Sequence, residues 1–311
     1  MEPRNLHVNR PLTNLSVQYK NEAMIWREIL PIIPVTYRSD LYFKYAKENA
    51  LRLVDDKIGP KSLANEVGME VSTENYSVKD HALADWIPVE SQDNADLPMN
   101  QAIDVNDNLN MLLDVAQEKR VVDLVFAAAT YPTGNKVTLS GTGQWGGSAD
   151  APISDVQTAI ETCFMRANTL IFGVDAWLKF RALPEILDAV KASSRQQGTP
   201  GGLATAPEVA ALFEVDRILV GRSRYVTSKE GQAVTFARLW GKHMAALHVV
   251  ANPGIRSITF GGTFSEMTRV TMTSFDEKRG AKGAHYIKPA WNSDEKVIAS
   301  DLGYLITDAV A

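Results

Sequence analysis

The chain has 311 residues, 45% of them hydrophobic and 22% charged, with a net charge of −5 and a single cysteine. That length suits one large domain or two ordinary ones, and the acidic balance excludes a global attraction to nucleic acid or anionic lipid. One cysteine excludes an intrachain disulfide, as suits a reducing cytoplasm; no apolar stretch approaches the roughly 18 residues of a membrane span, and MEPRNLHVNRPLTNLS lacks a secretory h-region.

Residues 1–35 carry no sustained period and are punctuated by Pro3, Pro11, Pro31 and Pro34. A short helical turn is expected over 21–29, and LPIIPV reads as extended because each proline pushes the preceding residue toward β geometry. Residues 36–92 read as a long hairpin. Leu41, Phe43 and Tyr45 alternate with polar neighbours, as do Met69, Val71 and Thr73 on the return. The tip between them, 47–66, holds Lys47, Glu48, Arg52, Asp55, Asp56, Lys57, Lys61 and Glu66 around a Gly59-Pro60 turn. It has too few apolar residues to fold alone, so these first hundred residues read as arms buried on neighbours.

Residues 104–129 predict one amphipathic helix, roughly 39 Å long at 1.5 Å per residue. Leu109, Leu112, Leu113 and Ala116 form one apolar face. Glu118, Lys119 and Arg120 interrupt it and are expected to reach solvent or a neighbour. Pro132 and Gly134 stop the helix. A Gly-rich hairpin ending at Trp145 is expected next. Pro152 then suits the first turn of a helix, with Ile153, Val156, Ile160, Cys163 and Phe164 on its apolar side. A strand at 169–172 and helix at 175–190 follow, with a break near Pro184. SSRQQGTPGG, 193–202, reads as a loop. A helix over 206–213 and strands over 217–221, 234–240 and 244–250 complete the middle; short strands dominate from Ser257 on. Helices mixed with a sheet and strands at the end give an α+β class without regular βαβ winding.

The chemistry-bearing patterns are sparse. Gly141-x-Gly143-x-x-Gly146 matches a dinucleotide fingerprint literally, the basis for a Rossmann-type oxidoreductase alternative. That fingerprint requires a helix to start at the third glycine and face the pyrophosphate. Here no helix is expected before Pro152, and Trp145 crowds the approach. Cys163 on an apolar face reads as packing. His243 and His248 have no metal-ligand companions, and no basic run interleaves with aromatics. No catalytic, cofactor or metal residues are assigned, and no enzyme activity is expected.

Taken in order, NEAMIWREILPIIPV (21–35), ADLPM (95–99), QEKRVVDLV (117–125), YPTGNKVTLSGTGQW (131–145), DAPISDV (150–156), NTLIFGVDAWLKFRALPEILDAVK (168–191), LFEVDRILVGRSRYV (212–226) and LWGKHMAALHV (239–249) resemble the major capsid proteins of tailed bacteriophages, over roughly residues 15–265. The resemblance implies the Hong Kong 97-like capsid fold. Residues 1–35 would be the N-terminal arm, 36–92 the extended E-loop, 93–152 the peripheral P-domain with its spine helix, 153–255 the axial A-domain and 256–311 strands returning to the P-domain. It implies pentamers and hexamers of an icosahedral shell that holds double-stranded DNA by enclosure. Implied partners are a portal protein and separate scaffolding and decoration proteins; no membrane is implied, and assembly would occur in the host cytoplasm before residence in the virion. Inter-subunit contacts would come from Lys47, Arg52, Asp55, Asp56, Lys57, Lys61 and Glu66 of the tip and from Trp26, Leu30, Ile32 and Ile33 of the arm. Arg195, Gln196, Thr199 and Gly201 would lie in the axial loop. Some members of the family crosslink a Lys to an Asn; Lys57 or Lys61 and Asn292 match those parts by position. An encapsulin-type nanocompartment shell is the alternative of the same fold.

Overall fold

The computed structural model describes residues 21, 24–60, 62–68, 70–93, 101–193, 202–229, 231–254 and 257–311. A short helix, Trp26–Ile29, leads into β1 (Ile32–Pro34), followed by β2 (Ser39–Tyr45), β3 (Val71–Ser77), β4 (Lys79–Ala82) and β5 (Asp85–Pro88). The long helix runs Gln101–Val125, three residues earlier at its start and four at its end than the apolar pattern predicts. It contains neither Gly nor Pro, the two residues that penalise a helix interior most. Then come β6 (Lys136–Thr138), β7 (Thr169–Gly173), β8 (Arg217–Gly221), β9 (Arg224–Val226), β10 (Phe236–Arg238), β11 (Met244–Leu247), β12 (Gly261–Ser265), β13 (Val270–Asp276), β14 (Ala284–Val297) and β15 (Gly303–Thr307).

Two sheets carry the architecture. The first has order β6-β15-β11-β7-β8. Its central strands are buried on both faces, which explains their near-continuous apolar sequence. Leu170 and Phe172 of β7, Met244 and Ala246 of β11, and Tyr304 and Ile306 of β15 face one core, with Trp145, Ile160, Trp177, Phe180 and Phe213. The alternate residues Ile171, Ala245, Leu247 and Leu305 face the second core, with Trp26, Val121, Val125, Trp240, Phe260 and Trp291. β7 and β8 are parallel and joined through helices Val174–Phe180, Pro184–Ser193 and Ala206–Phe213, a crossover that parallel neighbours require. The Ala206–Phe213 helix opens with a reciprocal capping box between Thr205 and Glu208. It closes on Glu214 in the left-handed region, φ 53°, where Arg166 donates to the carbonyls of Phe213 and Glu214.

The second sheet has order β1-β12-β14-β13, with β4 and β5 also on β14. The arm strand β1 is thus an integral edge, parallel to β12. The β2–β3 pairing, Ser39 opposite Ser77 through Tyr45 opposite Val71, is a separate two-stranded ribbon. The hairpin therefore ends at Ser77 rather than near residue 92; β4 and β5 belong to the sheet of β14. β15 and β6 sit with β7, β8 and β11, not with the other late strands.

Two sequence expectations fail locally. Among the described residues β6 pairs with β15 alone, in parallel, so the Gly-rich segment is a chain of turns, including a 3-10 turn at Gly141–Gly143, and not a hairpin. Helix Pro152–Thr162 ends one residue before Cys163. The chain leaves helical geometry at that residue, so Phe164 turns outward and is 45% exposed while Cys163 stays buried.

Candidate assembly surfaces and the buried carboxylate beneath the arm

The β2–β3 ribbon is two-faced because its side chains alternate. On the inner face Tyr42 and Tyr76 stack on Phe264 at centroid distances of 5.6 and 4.8 Å. The Tyr42 hydroxyl donates to Glu74 at 2.6 Å, and Lys44 reaches the same carboxylate at 2.8 Å. Burial and that carboxylate push the Tyr42 hydroxyl well above its ordinary pKa, while Lys44 and Tyr42 hold Glu74 low. On the outer face Leu41, Phe43 and Val71 lie open. Beyond a short helix, Lys47–Leu51, residues 52–58 have no regular secondary structure. Leu53 is 100% exposed and Leu63 94%; Leu51, Val54, Ile58 and Val67 are exposed as well.

Of the expected tip contacts, Arg52, Asp55, Asp56, Lys57 and Glu66 are exposed. Lys47 is engaged at home: its ammonium pairs with Asp301 and lies 4.7 Å from the centroid of the Phe164 ring. Lys61 and the axial-loop residues Arg195, Gln196, Thr199 and Gly201 lie outside the described residues. Of the expected arm contacts, Trp26 and Leu30 are 2% and 0% exposed inside the subunit's own core, so their side chains offer no surface to a neighbour. Ile33 packs against Tyr76 and Phe264; Ile32 alone faces out, 44% exposed. The arm appears coreless in sequence because it completes another element's core instead of forming its own.

Sequence reading also misplaces Glu118. It is fully buried and gathers four donors from three parts of the chain. The arm supplies the backbone N–H groups of Ile25 and Trp26, at 3.3 and 3.0 Å. The loop after β8 supplies the Ser223 hydroxyl at 3.3 Å, and the Trp240 indole N–H donates at 2.6 Å. Burial raises the carboxyl above its ordinary range, and these bonds act in the opposite sense. The available signal was period: Leu109, Leu113, Gln117, Val121 and Val125 share one helix stripe, and Glu118 adjoins it. Gln117, also fully buried, has no partner for its carboxamide among the described residues. Lys119 and Arg120 behave as expected of a charged face, pairing with Asp123 and Glu295.

Asn292 is 1% exposed. Its Oδ1 accepts from the N–H groups of Glu266 and Met267 at 3.0 and 2.9 Å, and its Nδ2 donates to Glu266 at 3.1 Å. Within the subunit the Asn292 amide is thus buried and hydrogen-bonded, so the positional match for a crosslink finds no exposed amide here. The dinucleotide reading is corrected. Gly146 N–H is taken by Asp150 at 2.7 Å, Trp145 is buried, and the helix starts only at Pro152. Cys163 Sγ lies 3.2 Å from the Ala159 carbonyl, and burial pushes the thiol up to about 12. His243 is half-buried, with its pKa lowered by that burial, and its Nδ1 accepts from Asp308 N–H at 3.0 Å. His248 Nδ1 is 3.0 Å from the Arg166 carbonyl. Among the described residues no group of three His, Cys, Asp or Glu side chains is placed to share a metal, and no helix is long and apolar enough to cross a membrane.

A two-core body with an open β-ribbon and an arm strand threaded into its sheet is the Hong Kong 97-like capsid fold. The structure matches that of a phage-related protein from Bordetella bronchiseptica RB50 with a TM-score of 0.69 and 25% identity over 94% of both chains. It matches the capsid of cyanophage P-SCSP1u with a TM-score of 0.63 over 94% of this chain and 90% of that one; 8% identity there speaks for the fold alone. In sequence the chain is 31% identical over 310 residues to the major capsid protein of Pseudomonas phage JBD67, covering 98% of this chain and 97% of that protein. It is 26% identical over 252 residues to the major capsid protein of a Burkholderia phage, BcepMu, covering 79% and 78%. The chain belongs to the family of phage major capsid proteins. No protein-family profile matches it.

Proposed function

We propose that this chain builds the pentamers and hexamers of an icosahedral shell enclosing double-stranded DNA, with the ribbon tip as a main bridge between neighbouring subunits. The observation that carries this reading is the tip itself. Leu53 and Leu63 are bare, and Leu51, Ile58 and Val67 of the same segment are exposed as well. Large apolar side chains left exposed in one segment mark an interaction site, and covering one leucine contributes about 1.5–3 kcal/mol. Arg52, Asp55, Asp56, Lys57 and Glu66 of the same segment are exposed and carry both signs of charge, which suits a register-setting contact with a second copy. In this reading Ile32 and the outer face of β2–β3 are covered as well.

The role is structural, not enzymatic. A portal would occupy a specialised vertex, scaffolding and decoration would be separate proteins, and assembly would take place in the host cytoplasm without a membrane. Sedimentation and electron microscopy of the purified protein test the proposal. Capsomers and closed shells are the expected result; monomers alone across a range of salt and concentration would refute it.

A further inference from the structure

The ribbon β2–β3 meets the body of its own subunit at a series of points along one stretch of chain. At the base Arg38 pairs with Asp80 and with Glu266, and the Val78 N–H donates to the Arg38 carbonyl at 2.8 Å. One step on, the Ser77 N–H donates to the Asp294 carboxylate at 2.8 Å. The Lys296 ammonium then donates to the Asn75 carbonyl, and Ile298 packs beside Tyr42, Tyr76 and Phe264. The last contact of the row joins the Lys47 ammonium to Asp301. Body residues 294, 296, 298 and 301 thus follow the ribbon outward, from its base to the point where β2 gives way to helix Lys47–Leu51.

The receiving end is anchored in the body. Helix Pro152–Thr162 stops before Cys163, which turns the Phe164 ring outward. The Phe164 N–H donates to the Asp301 carbonyl at 2.9 Å, so ring and carboxylate stand on neighbouring backbone. The adjoining Cys163 and Leu302 are buried in the two cores and hold both residues in place. An aromatic face and a carboxylate are the two groups that attract an alkylammonium. The first acts through its ring quadrupole, the second through a charge-assisted hydrogen bond. Lys47 uses both, pairing with Asp301 and lying 4.7 Å from the centre of the Phe164 ring. The ribbon is tied across at the same level. Asn49 Nδ2 donates to the Glu70 carbonyl at 2.8 Å, and the Ser72 hydroxyl donates to the Lys44 carbonyl at 3.0 Å. Past Leu51 the backbone is irregular through residue 58.

We propose that Phe164 and Asp301 form a docking site for a primary ammonium, that of Lys47 in the same chain, which straps the outer end of the ribbon to the body of the unassembled subunit. The strap sets how much of the ribbon can travel: β2–β3 is held, and the tip past Leu51 is free. That this free tip is the part that first reaches a neighbour is a consequence resting on the shell-forming reading; the strap itself is not. Lys47 and Asp301 are both partly exposed, so water screens the pair and the strap opens readily. The base differs in kind, because Tyr76 and Phe264 are buried in their stack. Opening the strap therefore loosens the outer end and leaves the base packed.

The test uses dilute, unassembled full-length subunits, so its failure is distinct from a failure to form shells. Amide hydrogen exchange is followed over residues 43–45 and 71–73 at the outer end and over 77–78 at the base. Removing the ammonium in K47M, or the charge of its site in D301N, should speed exchange at the outer end about threefold, as suits a weak screened contact, and leave the base unchanged. K47M alters only the exposed ribbon side, so it stands even if D301N disturbs the body. The charge-swapped K47D/D301K should recover the slower rate, which a merely structural role for either residue would not produce. Raising salt from about 0.05 to about 0.5 M should speed exchange in the unmodified chain but not in K47M. Equal rates in K47M and the unmodified chain would overturn the proposal, as would a double variant no slower than the single ones. Outer-end protection that grows with protein concentration would place the lysine on a second copy and overturn it as well.

Discussion

Glu118 is the residue on which arm, long helix and the β8–β11 region converge. Its four donors are all buried or backbone groups, so deleting the acceptor leaves several of them unpaired. Glu118→Ala should cost about 3 kcal/mol, read from urea unfolding, because each orphaned buried polar group costs about 1–3 kcal/mol. A loss below about 1 kcal/mol would show that water replaces the carboxylate easily. The pH dependence has a defined sign. The folded carboxyl sits above its ordinary value of 4.5 because of burial. Its linked stability is therefore full below that value and is lost as pH rises through the raised folded value. Glu118→Gln cannot titrate, so the native chain should lose stability relative to it across that window; parallel pH profiles would contradict this. Cys163 behaves in the opposite way from a reactive thiol. Burial, and secondarily the Asp301 charge, push it up to about 12, which leaves almost no thiolate at neutral pH. A thiol reagent should leave it unmodified in folded subunits and label it fully after denaturation, and Cys163→Ala should cost about 1 kcal/mol. Labelling of the folded protein within minutes would reverse that assignment.

Among the elements, β7 and β8 end on a pair of facing glycines, Gly173 and Gly221. A Cβ on Gly221 would lie 2.0 Å from the Trp240 ring, and one on Gly173 would lie 2.0 Å from the Gly241 carbonyl. The glycines are thus the space into which Trp240 packs, and Trp240 in turn bonds Glu118. Gly221→Ala should displace the indole, shift Trp fluorescence toward solvent-exposed wavelengths and destabilise by about 1–3 kcal/mol through overpacking. An unchanged spectrum with unchanged stability would mean that the sheet end opens freely. The ribbon tip is the opposite kind of element. It has open backbone after Leu51 and large apolar side chains with nothing over them, features of segments with low local stability. Trypsin should cut free subunits near Arg52 or Lys57 and spare assembled particles. Equal cleavage in both would remove the tip from the list of buried contacts.

For the molecule as a whole, 32 basic residues are set against 37 acidic ones. Gripping duplex DNA requires clustered Lys and Arg, and such binding falls steeply with salt. The local cluster EKRGAKG, 277–283, is partly committed, since Arg279 lies 3.9 Å over the Trp86 ring and 3.7 Å from Asp276. Free subunits should therefore show no duplex binding near 0.15 M salt, where the Debye length is about 8 Å, and shells should close without nucleic acid. A sub-micromolar gel shift at that salt, or assembly that requires DNA, would replace enclosure with a nucleoprotein coat.

What the sequence determined by itself was local. The helix over 206–213 and the strand over 217–221 lie where the sequence reading puts them, because the structure's Thr205–Glu208 box and the apolar run act within a few residues. The ordered motifs likewise carried the family. Tertiary structure decided which surfaces are spent and which remain. Trp26 and Leu30 look like free arm residues until the long helix and β14 enclose them. Glu118 looks like a break in an apolar stripe until donors from residues 25, 26, 223 and 240 arrive around it. Those partners lie up to 122 positions away. The worth of a polar group under burial depends on whether such distant partners reach it, and no window of neighbouring residues contains that information.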